Sequence, residues 1–409
     1  MNLDSCYQMI HRPHITASLP VLTTLYTQTE MLRQSTVQVQ RQLVRHSSTT
    51  SSYSTQISRA REACASSLRQ YDKSSYILSA YIPSPARDCF IALRAFNIEV
   101  SKITGNEESQ VNKKLRSTIG VSSTDLRIKF WEETLYKIFQ NPGSDQVVGE
   151  PVALLLRDSL RNGLNLDVSY LNQILMSRNE FLKRQQFQTV DELCGYGEGL
   201  YSQLNYLVQN LLLSDQLSPS TVALVEESEK LRNLITEIAA HLGQATGVAS
   251  MVLATEYNAK VQDKVYLPVD VMSRFELSQE DVLRLYQGHL EEDKATKNDV
   301  ELLLRDVVYE TCITANDHLL TARSKLEEVK TTTKEIIKSQ SQPLVNQKSG
   351  SWKKSLPDCL FVPFMNAVPL SLYLSSLEKH DFDLVKNKIQ NPYWKLVSRT
   401  FRSYQTRKI

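Results

Sequence analysis

Residues 222–255 read VALVEESEKLRNLITEIAAHLGQATGVASMVLAT and form the longest periodic stretch of the chain. Leu224, Leu231, Ile235, Ile238 and Leu242 recur at steps of three, four and seven residues, the period of one helix face. Such a face must be buried against other elements, so the segment predicts a helix in a domain of helices stacked around one core. Its second half carries Ala239, Ala240, Gly243, Ala245, Gly247 and Ala249. Small side chains let helices approach closely or leave room for a cavity, and close packing is the expected use.

The flanking sequence repeats the helical period. SPARDCFIALRAFNIEVSKIT at 84–104 places Phe90, Leu93, Phe96 and Val100 on one face, with Pro85 suited to a helix start. DLRIKFWEETLYKIF at 125–139 offers Leu126, Phe130, Leu135 and Ile138. Residues 168–184 are helical in composition, and 190–213 carry Leu193, Leu200, Leu204 and Leu211. Two more helical patterns span 278–328, around Val282 to Leu290 and Val300 to Leu326. YLPVD at 266–270 reads as extended or turn, because Pro268 stops a helix. Residues 329–357, rich in Lys, Thr, Ser and Gln, are expected to be a polar loop or linker. With 12 glycines in 409 residues and no βαβ alternation, the chain reads as all-α. The expected organisation is a leader at 1–58, a helical domain at 59–328, the linker at 329–357 and a helical C-terminal segment at 358–409.

The leader reads as an address. From Met31, MLRQSTVQVQRQLVRHSSTTSSYSTQISRAR contains no acid, and the first is Glu62. Arg41 and Arg45 share a helix face, and serine and threonine dominate 47–58. This arginine-rich, serine-rich, acid-free pattern is that of a mitochondrial transit peptide followed by a disordered leader. The thirty residues before Met31 include Asp4 and Glu30 and fit less well, so translation starts at Met1 or Met31.

Composition excludes several function classes. Lys plus Arg number 47 against 45 for Asp plus Glu, a net charge of +2 that gives no general pull toward nucleic acid. The six cysteines, Cys6, Cys64, Cys89, Cys194, Cys312 and Cys359, contain no CxxC pair. The seven histidines form no HExxH or HxH, and a lone histidine is usually structural. GxSxG, Walker and GxGxxG motifs do not occur.

Four segments, in order, resemble the squalene/phytoene synthase family. They are FIALRAFNIEVSKITG at 90–105, FW at 130–131 with EPVALLLRDSL at 150–160, TVDELCGYGEGLYSQLNYL at 189–207, and HLGQATGVASMVLATEYNAKVQDKVYLPVD at 241–270. The resemblance covers roughly 70–330. It implies an all-α, single-domain, isoprenoid-synthase-like helical bundle with a central cavity. In active relatives two facing DxxxD helices hold magnesium against a prenyl diphosphate, because carboxylates at i and i+4 share a helix face. Here the resemblance puts Ser101 and Gly105 at the first motif and Thr255 and Ala259 at the second. Ala254 replaces the usual arginine, and Met251 the usual asparagine. Tyr196, Tyr201 and Met251 are the expected cavity-lining residues.

LRAFN-x-E, FW with EPVA, Tyr196-x-Glu198, and ATxY before KVYLP resemble the non-catalytic branch of the family that serves the assembly of respiratory complex I. The expectation is therefore a pseudoenzyme with no cofactor and no metal, working in the mitochondrial matrix against the inner membrane. Its expected partners are complex I subunits or other assembly factors, with a lipid or isoprenoid as a candidate ligand. The alternative is an active prenyl transferase or terpenoid enzyme with a relocated magnesium site built from Glu99, Glu256 and Asp263. At the C-terminal end, CLFVPFMNAVPLSLYL at 359–374 is apolar but broken by Pro363 and Pro369. Basic and aromatic residues from Lys386 to Lys408 follow it, so this end is expected to pack on the domain or on a membrane surface.

Overall fold

Ser228 opens the central helix, Glu229–Leu253, by accepting the Leu231 backbone N–H at 3.2 Å on its side chain. The periodic stretch at 222–255 is thus two helices, Pro219–Glu226 and Glu229–Leu253, split where Ser228 turns the chain. Leu224, Leu231, Ile235, Ile238 and Leu242 are all buried, as their spacing predicts. The central helix packs most extensively against one long helix, Lys294–Ser339, and against Val190–Gly197 with the π-helical turn Glu198–Ser202 that follows it.

The computed structural model describes residues 33–103, 122–144, 146–339, 343–385 and 393–409, with side chains from residue 52 onward. No β-strand occurs among the described residues, in agreement with the all-α expectation. The chain divides into two units, Met1–Ser54 and Thr55–Ile409, and the functional features lie in the second.

Small residues on the central helix are used for close approach. A Cβ on Gly197 would sit 2.9 Å from the Gly243 carbonyl oxygen. A Cβ on Gly243 would collide with the Ser202 backbone, and one on Gly247 with the Gly197 Cα. The two backbones therefore touch, and Glu198 ties the crossing together by accepting from Ser202 (2.8 Å), Tyr206 (2.9 Å) and Gln244 (3.1 Å). Gly195, in the same GYGEG run, meets nothing.

Three expectations need correction. In the Ser123–Gln140 helix the buried face is Ile128, Trp131, Leu135 and Ile138, while Leu126 and Phe130 are 43% and 50% exposed. Both stripes have helical spacing; Trp131 decides between them by packing edge-on to Phe96 with ring centroids 5.1 Å apart. The polar stretch at 329–357 is no linker. The long helix continues to Ser339 with Val329, Thr333 and Ile336 buried, and a further helix spans Pro343–Ser349. No glycine or proline interrupts 294–339, and the apolar spacing survives beneath the polar composition. The leader at 1–58 also ends earlier than expected. A helix spans Arg33–Tyr71, and Ile57 is already buried in the second unit. Residues 1–32 of the expected address lie outside the described residues.

The apolar C-terminal segment packs on the body. It forms Asp358–Phe361, the 3-10 turn Val362–Asn366 and Ala367–Lys379, burying Phe361, Phe364 and Met365. Asp358–Lys379 is long and apolar enough to cross a membrane by length and composition, but most of it is buried. Arg407, 0% exposed, pairs with Asp358 and stacks over Phe361 and Tyr404.

The glycine crossing predicts a clear contrast. Gly243→Ala is expected to destabilise the protein by roughly 1–3 kcal/mol through overpacking, whereas Gly195→Ala is expected to be neutral or to stabilise by up to about 1 kcal/mol. Urea denaturation of the two variants, followed by circular dichroism, measures both.

Candidate functional site

Two helices present matching faces to one cavity of about 810 Å³. Arg94, Asn97, Ile98 and Ser101 come from the Ser84–Ser101 helix, and Thr246, Ala249, Ser250 and Leu253 from the central helix. Each set has the spacing i, i+3, i+4, i+7, one face of a helix. Asp72 and Leu78 close one side, Tyr201 and Asn205 another, and Asn366 and Leu370 a third.

Asp72 is placed by its role as a helix cap. It precedes the Lys73–Leu78 helix and accepts the Ser75 backbone N–H at 3.0 Å. Its second oxygen accepts from Arg94 at 3.1 Å, and both side chains are largely buried. Burial works against the Asp72 charge, yet Arg94 and the Ser75 bonds hold its carboxyl below the usual range. Burial pushes the Tyr201 phenol up, with Ser250 beside it working against that shift.

A buried arginine stands behind this wall. Arg178 is 9% exposed and donates to the carbonyls of Ser101 (2.9 Å) and Ile103 (2.8 Å). It thereby satisfies carbonyls left free at the C-terminal end of the Ser84–Ser101 helix, where a cation also suits the helix dipole. Its guanidinium lies 5.1 Å from the Phe181 ring centroid, and its charge works against the burial that raises the Tyr196 phenol. Tyr196 packs on Phe181 at 4.8 Å and Phe187 at 6.0 Å, and burial pushes its phenol up to about 12.

The structure sorts the sequence-derived positions. Ser101 and Tyr201 line the cavity. Tyr196 belongs instead to the aromatic cluster around Arg178, and Met251 is buried in the core. The chain bends by 49° between Glu229–Leu253 and Thr255–Val261, with Ala254 at the break. Past that bend Thr255 and Ala259 point into the core, Thr255 bonding the Met251 carbonyl at 3.3 Å, while Tyr257 turns to the cavity. Gly105 lies outside the described residues. Glu99 and Glu256 pair with Lys102 (2.7 Å) and Lys260 (2.6 Å), and Asp263 accepts from Gln287 (2.8 Å), so each of the three has its own separate partner.

Sequence reading missed Asp72, Arg94, Asn366 and Arg178, because no short motif joins residues so far apart. It also missed a histidine pair: the Nδ1 atoms of His241 and His318 lie 2.8 Å apart, with Cys194 Sγ 3.7 Å from His318 Nε2. One Nδ1 must donate and the other accept, so the accepting ring is neutral, and burial lowers both pKa values. Among the described residues no group of three His, Cys, Asp or Glu side chains is arranged to hold a metal ion.

A helical bundle with a cavity between two such faces is the architecture of isoprenoid synthases. The profile of the squalene/phytoene synthase family matches residues 68–398, and the chain belongs to that family. Its similarity extends to a named group of relatives. "NADH dehydrogenase (ubiquinone) complex I, assembly factor 6" of Bos taurus is 28% identical over 327 residues, covering 80% of this chain and 76% of that protein. The assembly factor 6 homolog of Drosophila melanogaster is 27% identical over 281 residues, covering 68% of this chain and 71% of that one. The crystal structure of a dehydrosqualene synthase in complex with ligand matches with a TM-score of 0.52 at 14% identity, covering 86% of this chain and 98% of the other, a likeness of fold.

The Asp72–Arg94 pair predicts a pH-dependent stability. A carboxyl held below its usual range stabilises the fold above that range and loses the contribution as pH falls through the lowered value. Asp72→Asn keeps the cap but removes the charge, and is expected to cost about 1–3 kcal/mol at neutral pH. The gap to the unsubstituted protein should narrow as pH falls from about 5 toward about 1. Urea titrations across that range read it directly.

Proposed function

We propose that this chain is a non-catalytic member of its family that supports the assembly of respiratory complex I. The observation that carries the reading is the similarity, over 80% of the chain, to proteins named as complex I assembly factor 6. The same names support a mitochondrial location, which agrees with the acid-free, arginine-rich sequence after Met31. The finer placement is the matrix, in peripheral contact with the inner membrane. The last helix, Tyr393–Thr406, supports it: Trp394, Phe401, Arg399 and Arg402 are exposed, while Leu396, Thr400 and Ser403 face the body. An aromatic and basic outer face of this kind suits an anionic lipid surface.

The chemistry of the cavity supports the non-catalytic reading. Magnesium needs several hard oxygen ligands, usually carboxylates. Among the described lining residues the one carboxylate is Asp72, and Arg94 already neutralises it. Apart from Arg94, the two facing helix surfaces offer hydroxyl, amide and apolar groups instead. Arg178 adds a buried positive charge at the end of the first helix, which disfavours a divalent cation there. The residues present do not fit a magnesium–diphosphate site.

Partners follow from the same reading: complex I subunits or other assembly factors. Deleting the gene in its own organism is expected to lower assembled complex I several-fold on native gels while sparing the other respiratory complexes. Normal complex I after deletion contradicts the assembly role. Purified protein given magnesium and farnesyl diphosphate is expected to release no diphosphate above the blank; turnover on the order of 1 per second or faster contradicts the non-catalytic reading.

A further inference from the structure

The cavity wall is nearly free of net charge yet rich in hydrogen-bonding groups. Its three charged lining residues are neutralised locally: Asp72 pairs with Arg94 at 3.1 Å, and Lys102 reaches Glu99 at 2.7 Å. Asn97, Ser101, Tyr201, Asn205, Ser250 and Asn366 supply uncharged polar wall. Leu78, Ile98, Ala249 and Leu370 supply apolar wall beside them. At the rim Tyr71, Leu253 and Tyr257 are each more than half exposed.

This wall holds several unmet hydrogen bonds. Arg94 Nε, Asn97 Oδ1, Asn366 Oδ1 and the Tyr373 hydroxyl are buried without a partner, and all four belong to lining residues. Asn97 is itself 9% exposed, so its amide oxygen is sealed into the wall rather than turned to solvent. Buried polar groups are normally bonded, and a cluster of exceptions at one cavity calls for a ligand. A half-turn of the Asn97 amide exchanges its oxygen for its nitrogen and brings an acceptor forward, whereas Asn366 is held by its Nδ2 donating to Asn205 Oδ1 at 2.6 Å.

We propose that the cavity binds an uncharged single-chain amphiphile whose head carries hydroxyl and carbonyl groups, the chemistry of a monoacylglycerol. The head lies among Asn97, Tyr201, Ser250 and Asn366, and the chain runs along Ile98 and Leu370 toward the apolar rim. A head with both donors and acceptors matches a wall of hydroxyls and amides, which offer both. An anion is disfavoured because Arg94 and Lys102 are already neutralised, so its charge would be buried unpaired. The volume of about 810 Å³ is within the range that encloses one ligand of this size. The inference rests on the reading that the cavity has lost its diphosphate chemistry, and it is independent of the role in complex I assembly.

The test uses the full chain and three probes delivered from cyclodextrin: monooleoylglycerol, oleic acid, and farnesyl diphosphate with magnesium. Native mass spectrometry and calorimetric titration are expected to show one monooleoylglycerol bound, with the two anions at least ten-fold weaker. Asn97→Leu removes an unbonded buried atom, so it is expected to fold normally by thermal melt yet to bind monooleoylglycerol at least ten-fold more weakly. No binding of monooleoylglycerol, or binding untouched by Asn97→Leu in a folded variant, overturns the proposal. Tighter binding of farnesyl diphosphate also overturns it, and only if diphosphate is then released does the non-catalytic reading fall as well.

Discussion

Two helix backbones meet without side chains between them where Gly197 faces Gly243 and Gly247, and the cavity is built from that contact. The crossing fixes the depth of the Val190–Gly197 helix and its π-helical continuation against the central helix. Residues a turn further along each element then face the same space, Tyr201 and Asn205 on one side and Thr246, Ala249 and Ser250 on the other. A Cβ at the contact would separate the two walls and shift every group that lines them. The Glu198 bonds to Ser202, Tyr206 and Gln244 lock the rotation about the crossing. A π-helical turn at this point is in keeping with their frequent occurrence at functional sites.

What the cavity can do follows from charge. A site that ionises a diphosphate must gather cations, and here the charged groups are matched one against another. Asp72 answers Arg94, Glu99 answers Lys102, and Arg178 is spent on the carbonyls of Ser101 and Ile103. The fold of the family is retained, and the charged groups at the cavity are paired with one another. Fold alone does not assign a role.

The sequence made the helices readable because their buried faces repeat at the helical period. Leu231, Ile235, Ile238 and Leu242 mark the central helix with no competing stripe. Where two stripes coexist, as with Leu126 and Phe130 against Ile128 and Trp131, only the neighbouring Phe96 chooses between them. At 326–336 the polar Lys and Thr residues mask Leu326, Val329, Thr333 and Ile336, which continue the buried face of the long helix. The cavity was legible only where family resemblance pointed, at Ser101 and Tyr201. The bend at Ala254 rotates Thr255 and Ala259 away from the cavity, and a straight-helix reading of the segment does not foresee it. Asp72, Arg94, Arg178 and Asn366 come from four separate elements, so only the folded chain shows that they act on one space.

On the proposed non-catalytic reading, the two facing helices do not clamp metal ions around a diphosphate. The most direct measurement is anomalous diffraction from crystals of the full chain soaked with manganese and a non-hydrolysable farnesyl thiodiphosphate. No manganese peak is expected between the Ser84–Ser101 helix and the central helix. Ordered manganese bridging those helices to the thiodiphosphate would contradict it.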